Sequence, residues 1–381
     1  MAVTSMLTTN PLTVKKWEIK GFLDMYKRTA FGHMARRGTI MRAEELDRAQ
    51  AGDEVTFSFT GILTGVGVTE GGTLEGNEEA LDLQADTMLW NEVRHAVRSP
   101  SEYSIEQTRT YVNFEDRARQ MLPKWHASRV DASVFNQLAG VDSTSLTTDD
   151  TVYTGSARTI VLGLNGARAP TANRIIRAGG AANDESIANT DTMTLDLIDA
   201  AVELLARTYP HVEALEGEEF DLYISHEQAT DLKRDTSGRI QWYVNNLSAM
   251  EGGMIGDNPI MNVNHYSMKP IGKYANVYIY AYNRVAVGEN SATQAPIANV
   301  RRAVLCGKNA MAFASKFSGA LTDGPGATAG NVPLQFSLKE FDYEHRLGVA
   351  ATMIYGVRKI QFDGEDYGSC VISTFAAPHT S

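Results

Sequence analysis

The chain of 381 residues has few of the residues that build covalent or metal-held frameworks. Only two cysteines occur, Cys306 and Cys370, far apart in sequence. Two such thiols supply neither a disulfide framework nor a metal knuckle, and they suit a reducing cytoplasm. The eight histidines are scattered, and none pairs with another histidine or a cysteine at ligand spacing. Long apolar runs are missing too. The longest, such as Leu347 to Tyr355, fall well short of the ~18 residues of a membrane span. Met1 to Leu12 is mostly threonine and small residues, without the sustained apolar run of a secretory signal. No membrane association is expected.

Catalytic signatures are equally scarce. Gly65, Gly67 and Gly71 miss dinucleotide spacing by one residue, and no strand–turn–helix pattern surrounds them. Cys306-Gly-Lys308 lacks the upstream glycine and the Ser/Thr of a phosphate loop. His226-Glu227 has no second histidine four residues on, so a helix start explains the pair better than zinc does. His345 follows Asp342 and Glu344, which reads as a solvated turn. No Gly-x-Ser-x-Gly elbow occurs. Tyr278 and Tyr280 could stack on bases, but alternating aromatics in a strand are more often core or interface. No enzymatic site and no cofactor is expected.

What is present describes a soluble globular protein. Hydrophobic residues make up 43% and charged residues 21%, enough to bury a sizeable core. The length exceeds one ordinary domain, so two lobes or one elaborated domain are expected. The net charge of −11 excludes a surface that traps nucleic acid generally. Its distribution is uneven. Met1 to Arg42 holds eight cations against two acids, a net of +6, whereas Ala43 to Asp86 holds eleven acids against Arg48 alone, a net of −10. Such charge runs are usually solvated faces; the alternative is complementary surfaces on neighbouring copies.

Along the chain, the first forty-odd residues look like an arm, with helical patches around Lys15 to Arg28 and no compact core pattern. Val55, Phe57 and Phe59 alternate with polar residues in the run Glu54 to Leu63, predicting a strand. A glycine-rich stretch, Gly61 to Gly76, follows, and Leu81, Leu83, Met88, Leu89 and Val93 resume an extended pattern. This long hairpin has few core-forming residues and needs another surface to lie on. A long helix is predicted over Ser104 to Leu138. Its apolar stripe is Phe114, Ala118, Met121, Leu122, Trp125, Ala132, Phe135 and Leu138, with a bend at Pro123 and a stop at Gly140. Val141 to Asn189 reads as surface loops with one apolar stretch at Thr159 to Leu164.

From Thr192 the pattern becomes compact α/β. A helix with Leu195, Ile198, Val202 and Leu205 on one face precedes the strand Phe220 to Ser225, and Ser225 can cap a second helix. Short strands are expected between Asn258 and Tyr282, notably Val277 to Ala281. Ala303 to Ala314 reads as a strand running into a helix or loop. Two β-rich runs close the chain, Leu347 to Phe362 and Ser369 to Phe375, separated by the Asp363-Gly364 turn.

Several blocks together resemble a known family. They are Val66-Gly-Val-Thr-Glu-Gly-Gly-Thr-Leu-Glu-Gly-Asn-Glu-Glu-Ala80, Arg94-His-Ala-Val-Arg98, and Asp131 to Gly140 with its Val-Phe-Asn-Gln-Leu-Ala-Gly ending. Phe220 to Leu232, Arg346-Leu-Gly-Val-Ala-Ala, Gly356 and Phe362-Asp-Gly364 continue the set. In this order they resemble the major capsid proteins of N4-like podophages and their relatives, from roughly Ala51 to Ala377. The resemblance implies the α+β tailed-phage major capsid fold, shared with encapsulins and the herpesvirus capsid floor. It divides the chain into an N-terminal arm (1–50), an E-loop hairpin (51–98) and a peripheral domain with a long spine helix (99–191). An axial α/β domain (192–338) and strands returning to the peripheral domain (339–381) complete it.

The implied role is structural, in a virion capsid made in the host bacterial cytoplasm. Copies would form hexamers and pentamers that close into an icosahedral shell around packaged double-stranded DNA, held without sequence-specific contacts. Portal, scaffold or decoration proteins are the other expected partners. An encapsulin-like compartment is the alternative, and an oligomeric α/β enzyme is disfavoured by the missing site. The expected inter-subunit contacts lie on the E-loop, where Ile62, Leu63, Leu74, Leu81 and Leu83 supply apolar surface. Its acids Glu70, Glu75, Glu78, Glu79 and Asp82 would face a neighbour's cations, either those of the arm or Arg109, Arg117 and Arg119 of the spine helix.

Overall fold

A computed structural model describes residues 29–42, 54–60, 63, 65–80, 83–100, 105, 109, 114–141, 145–148, 151–154, 164–215, 217–234, 268, 270–315, 334–341 and 345–379. The first described element, helix α1 (Ala30–Arg37), is capped at both ends. Thr29 Oγ1 accepts from the Gly32 N–H at 3.2 Å, and Gly38 closes it in the left-handed conformation. Ala30, Phe31 and Met34 are buried, and strand β1 (Ile40–Arg42) pairs in parallel with residues 311–313. This corrects the expectation that the first forty residues carry no core pattern. The cations of α1 mask a short apolar face that is covered only from elsewhere in the chain. Lys15 to Arg28 lies outside the described residues.

Strands β2 (Glu54–Thr60) and β3 (Leu83–Leu89) form the predicted hairpin, Glu54 opposite Leu89 and Thr60 opposite Leu83. Its base is not without a core of its own. Val55, Phe57 and Met88 are buried, and Phe57 and Met88 pack with Ala312, Ala314 and Ile360. The distal part, by contrast, is exposed. Strand β4 (Asn91–Pro100) leaves the hairpin and pairs over its whole length with residues 346–355, so residues 91–98 belong to another sheet.

Helix α2 (Phe114–Ala139) contains Pro123 and ends at Gly140, whose φ of 63° is left-handed. The start expected at Ser104 falls mostly outside the described residues. Ala118, Leu122, Ala132, Phe135 and Leu138 are buried as predicted, and Trp125 is half-buried. Met121 is 48% exposed, which corrects the stripe. One residue is 100° on a helix, and the Ala118–Leu122 row turns Met121 toward solvent. From Val130 to Ala139 the helix is buried on every side, so its polar residues must find partners inside. Ser133 bonds the Arg129 carbonyl and the Tyr355 hydroxyl, and Gln137 Nε2 donates to the Asn165 carbonyl at 2.7 Å.

After a small hairpin, β5 (Ser145–Thr148) and β6 (Thr151–Thr154), comes β7 (Ile175–Arg177). Helix α3 (Leu195–Arg207) buries Leu195, Ile198 and Leu205 and partly buries Val202. Strand β8 (Phe220–Ile224) leads into α4 (His226–Arg234), which opens with a reciprocal cap. Gln228 N–H donates to Ser225 Oγ at 3.2 Å, and Ser225 N–H to Gln228 Oε1 at 2.9 Å. Strands β9 (Gly272–Tyr274), β10 (Val277–Ala281), β11 (Val287–Glu289) and β12 (Pro296–Cys306) follow. Ala303 to Ala314, expected as a strand running into a helix or loop, is the end of β12 followed by a turn at 307–310 and a further strand, β13 (Met311–Ser315), buried on both faces. Its alternating alanines carry weak strand propensity, and burial between neighbours decides the outcome.

The last strands are β14 (Leu334–Phe341), β15 (Arg346–Lys359), β16 (Gln361–Phe362), β17 (Glu365–Asp366) and β18 (Ser369–Phe375). Asp363 and Gly364 both have positive φ, as the predicted tight hairpin turn requires. One sheet runs β1-β13-β15-β14 with β4 against β15. The other runs β7-β18-β12-β8-β10-β9 with β11 against β12. Strand β18, expected with the strands returning to the peripheral domain, pairs with β12 over seven residues in the second sheet. Strand β13 and the first five residues of β14, within the span 192–338, belong to the first. Chain order and sheet membership therefore cross. A core of α1, α2 and facing residues of both sheets joins them, and α3 and α4 cover the far side of the larger sheet. Cys306 and Cys370 are free and buried. Cys306 pairs in register with Ser369, one residue from Cys370, so the thiols point to opposite faces.

Candidate functional site

Beyond the paired strands the hairpin carries an exposed distal loop. Leu63 and every residue from Thr69 to Ala80 are exposed, including Leu74 at 68%, and Val66 is fully exposed. The loop has internal order nonetheless. Glu79 Oε2 accepts from the Gly65 N–H across the loop at 2.6 Å, and Glu78 Oε2 accepts from the Gly76 N–H at 2.7 Å. Two of the four acids thus hold the loop's shape, while Glu70 and Glu75 make no ion pair among the described residues.

The loop's base is fastened to the subunit. Asp86 is paired with Arg168, whose Nη2 donates to Oδ1 at 2.7 Å and whose Nη1 donates to the Lys359 carbonyl at 3.1 Å. The Asn165 side chain accepts from Leu89 N–H and donates to Leu89 C=O at 2.9 and 2.8 Å, standing in for one rung of a strand partner. A firm base with an exposed tip gives a projecting lever.

Of the expected contact residues, Leu63, Glu70, Leu74, Glu75, Glu78 and Glu79 lie together on the exposed loop. Ile62, Leu81 and Asp82 are outside the described residues, and Leu83 is placed by its backbone opposite Thr60. Arg109 and Arg117 are exposed. Arg119 is not available to a neighbour. It is 6% exposed, and its Nε donates to Glu115 Oε1 at 3.0 Å, one turn back on the same helix. Burial of the Arg119 row on the core side of α2 is the physical reason.

Sequence reading missed a set of buried charges that lock the elements together. Asp131 on α2 is fully buried and accepts from the Phe31 N–H, Arg284 Nη1 and the Tyr282 hydroxyl. Burial pushes its pKa up, against the pull of those donors. Arg37 forks onto Asp221 at 3.1 and 3.0 Å. Arg302 Nε donates to Asp184 Oδ2 at 2.7 Å, and its Nη1 reaches the carbonyls of Ala139 and Gly140. Lys359 and Asp366, both without exposure, pair at 2.7 Å, and burial lowers the lysine pKa. No local pattern could have signalled the long-range pairs, whose members lie some 100 residues or more apart. They anchor the fold. Among the described residues, no His/Cys/Asp/Glu group could hold a metal, and no helix is long and apolar enough to cross a membrane.

Two interlocked sheets, a buried spine helix and a projecting hairpin define the class: the α+β fold shared by tailed-phage capsids. The capsid of Ralstonia phage GP4 superimposes with a TM-score of 0.75 at 23% identity, covering 100% of both chains. The cyanophage Pam1 capsid matches with a TM-score of 0.59 at 18% identity over 89% of both chains. In sequence, the major capsid protein of Pseudomonas phage KPP25 is 25% identical over 373 residues, 93% of this chain and 90% of that protein. The family model described as phage capsid protein matches residues 5–378, and the chain belongs to that family. Its role is structural, as a component of a phage capsid.

Proposed function

We propose that the chain self-assembles through hexamers and pentamers into a closed icosahedral shell around packaged double-stranded DNA, without catalysis of its own. The observation that carries this reading is the distal loop, exposed along its length on a firmly anchored base. Exposed leucine and valine at the tip of a stable lever cost solubility unless another surface covers them. Identical copies that cover one another in a closed ring or shell meet that need without open fibres. The major capsid protein of phage KPP25 supports the assignment by its name. The virion is then the chain's location, with synthesis in the host bacterial cytoplasm. Portal, scaffold and decoration proteins are its further partners, and the net charge of −11 suits a container that must release its DNA.

Replacing Gly65–Ala80 by a short Gly/Ser link tests this. Because strands β2 and β3 and their Arg168 anchor remain, the variant is expected to fold with an unchanged circular dichroism spectrum and melting temperature. Light scattering and electron microscopy should show shells for the parent chain and none for the variant. Full-sized shells from the variant would refute the loop's role, and a parent chain that sediments only as a monomer would refute the shell reading.

A further inference from the structure

Strand β3 ends at Leu89 and β4 begins at Asn91, so Trp90 alone separates the hairpin from the five-stranded sheet. A joint this short does not fix an angle, because the two soft dihedrals of each residue can absorb a large reorientation. Phe57 and Met88 hold the hairpin's base down through apolar contact, but such contact is non-directional. The base lies close against β15. Gly356 permits this, since a Cβ there would stand 2.8 Å from the Leu89 carbonyl oxygen and 3.0 Å from Met88 Cγ. The direction in which the hairpin points must come from polar contacts with defined geometry.

Those contacts come from residues 164–170, a segment with no helix or strand of its own. Asn165 is 4% exposed, although Leu164 and Gly166 beside it are in solvent. Its side-chain amide takes both backbone groups of Leu89, at 2.9 and 2.8 Å, on the last residue before the joint. Three residues on, Arg168 pairs with Asp86 of the same strand, its Nη2 donating to Oδ1 at 2.7 Å. The segment also faces the spine helix. Gln137, without exposure, donates from Nε2 to the Asn165 carbonyl at 2.7 Å. At the helix stop, Pro170 Cδ lies where a Cβ on Gly140 would meet it at 2.7 Å. Ala167, between these contacts, packs on the main core. Hairpin base and helix end are thus joined through one short piece of chain.

We propose that residues 164–170 form a brace that sets the angle of the hairpin against the spine helix. Gln137 is then a positioning residue for the distal loop, although its hydrogen bond goes to the brace and not to the hairpin. Asn165 is held from two sides, its carbonyl by Gln137 and its side chain by Leu89. Swinging the hairpin about Trp90 would break the pair of bonds to Leu89, the Arg168–Asp86 pair or the bond to Gln137. Each buried group so released would lose its partner, which makes the braced angle the favoured one. The consequence for assembly rests on the shell reading above. A loop already at its working angle in the free subunit has less freedom to lose on association, so the brace speeds the joining of copies.

Single-molecule energy transfer in the full-length chain, at nanomolar concentration where copies stay apart, tests the brace. Dyes on Glu75→Cys in the loop and Gln120→Cys on the exposed side of α2 report the angle, and Cys306 and Cys370 are buried and escape labelling. The parent should give one transfer peak, with donor lifetimes that match a fixed distance. Gln137→Met and Arg168→Met should each shift the peak and spread the lifetimes, because the hairpin then samples a range of angles. Ser133→Ala, one turn earlier on the same helix, loses its bond to Tyr355 and should keep the parent's peak. Should Gln137→Met not fold, Gln137→Leu takes its place, and Arg168→Met at a partly exposed position gives its result independently. Shells of the loosened variants, followed by light scattering, should form about threefold more slowly or worse. Spread lifetimes in the parent, or parent-like peaks in the Gln137 and Arg168 variants, would overturn the brace. Equal spreading in Ser133→Ala would also overturn it, since any loosening of the core would then act alike. Loosened hairpins that assemble at the parent's rate would overturn the link to assembly. A parent that never forms shells would remove the shell reading and leave the brace to be judged on the transfer data alone.

Discussion

His126 makes the folded chain sensitive to acid in a range where ordinary carboxylates are still charged. Its ring is 1% exposed beneath the five-stranded sheet, with Nε2 3.2 Å from the Ala351 carbonyl. The neutral ring donates there, and Nδ1 has no partner among the described residues. Burial drives the pKa down from 6.5 to about 4, and the neighbouring Arg129 and His95 add to the effect. Between those two values the unfolded chain binds a proton that the folded chain refuses. Stability is therefore full above about pH 6.5 and is lost as pH falls toward 4. The loss is about 2 kcal/mol at pH 5 and about 3 kcal/mol at pH 4. Urea denaturation of the full chain, followed by tryptophan fluorescence at pH 7, 5 and 4, measures it. His126→Gln keeps a donor near Ala351 but cannot titrate. It should start about 1 kcal/mol less stable at pH 7 through imperfect packing, and then lose about 3 kcal/mol less than the parent on going to pH 4. His95, stacked on Trp125 nearer solvent, is present in both proteins, so only its coupling to His126 differs between them. Parallel decline of parent and variant would refute the reasoning.

Other substitutions probe the elements that hold the sheets together. Arg37→Ala leaves Asp221 buried without its fork and should cost about 3 kcal/mol in urea titration, with partial recovery in Arg37→Lys. Gly140→Ala imposes a left-handed conformation on alanine and drives its Cβ to within 2.3 Å of the Arg168 carbonyl, so a loss of about 3 kcal/mol or more is expected, read as insoluble or unfolded subunit. Trp125→Ala should cost about 2 kcal/mol, less than a fully buried tryptophan, because the indole is half-exposed between His95 and the Arg129 guanidinium. A melting temperature unchanged by any of the three would contradict the corresponding contact.

Local chemistry alone was enough for the elements whose signals are contiguous. Gly140 ends the spine helix, Ser225 and Gln228 open the helix after Phe220–Ile224, and Asp363-Gly364 turns the last hairpin. In each case the cause lies within a few residues, in a dihedral preference or a side chain bonding its own backbone. The ordered motifs from Val66 to Gly364 also carried the family, and with it the expectation of a projecting hairpin. Tertiary structure decided the rest. Whether Met121 or Leu122 enters the core depends on which side of α2 meets β4 and β15. Helix α1 belongs to the core because Asp131 and Asp221, roughly 100 and 184 residues away, receive its N–H group and its arginine. Strand β18 joins β12 and not β15 because the chain, having left the larger sheet between β12 and β13, returns to it after β15 by way of β16 and β17. The brace arises only when Leu89, Gln137 and Asn165 meet, since the first and last of them are 76 residues apart. Pairing energy between distant segments is a property of the assembled sheet, and a linear pattern of hydrophobicity and charge does not contain it.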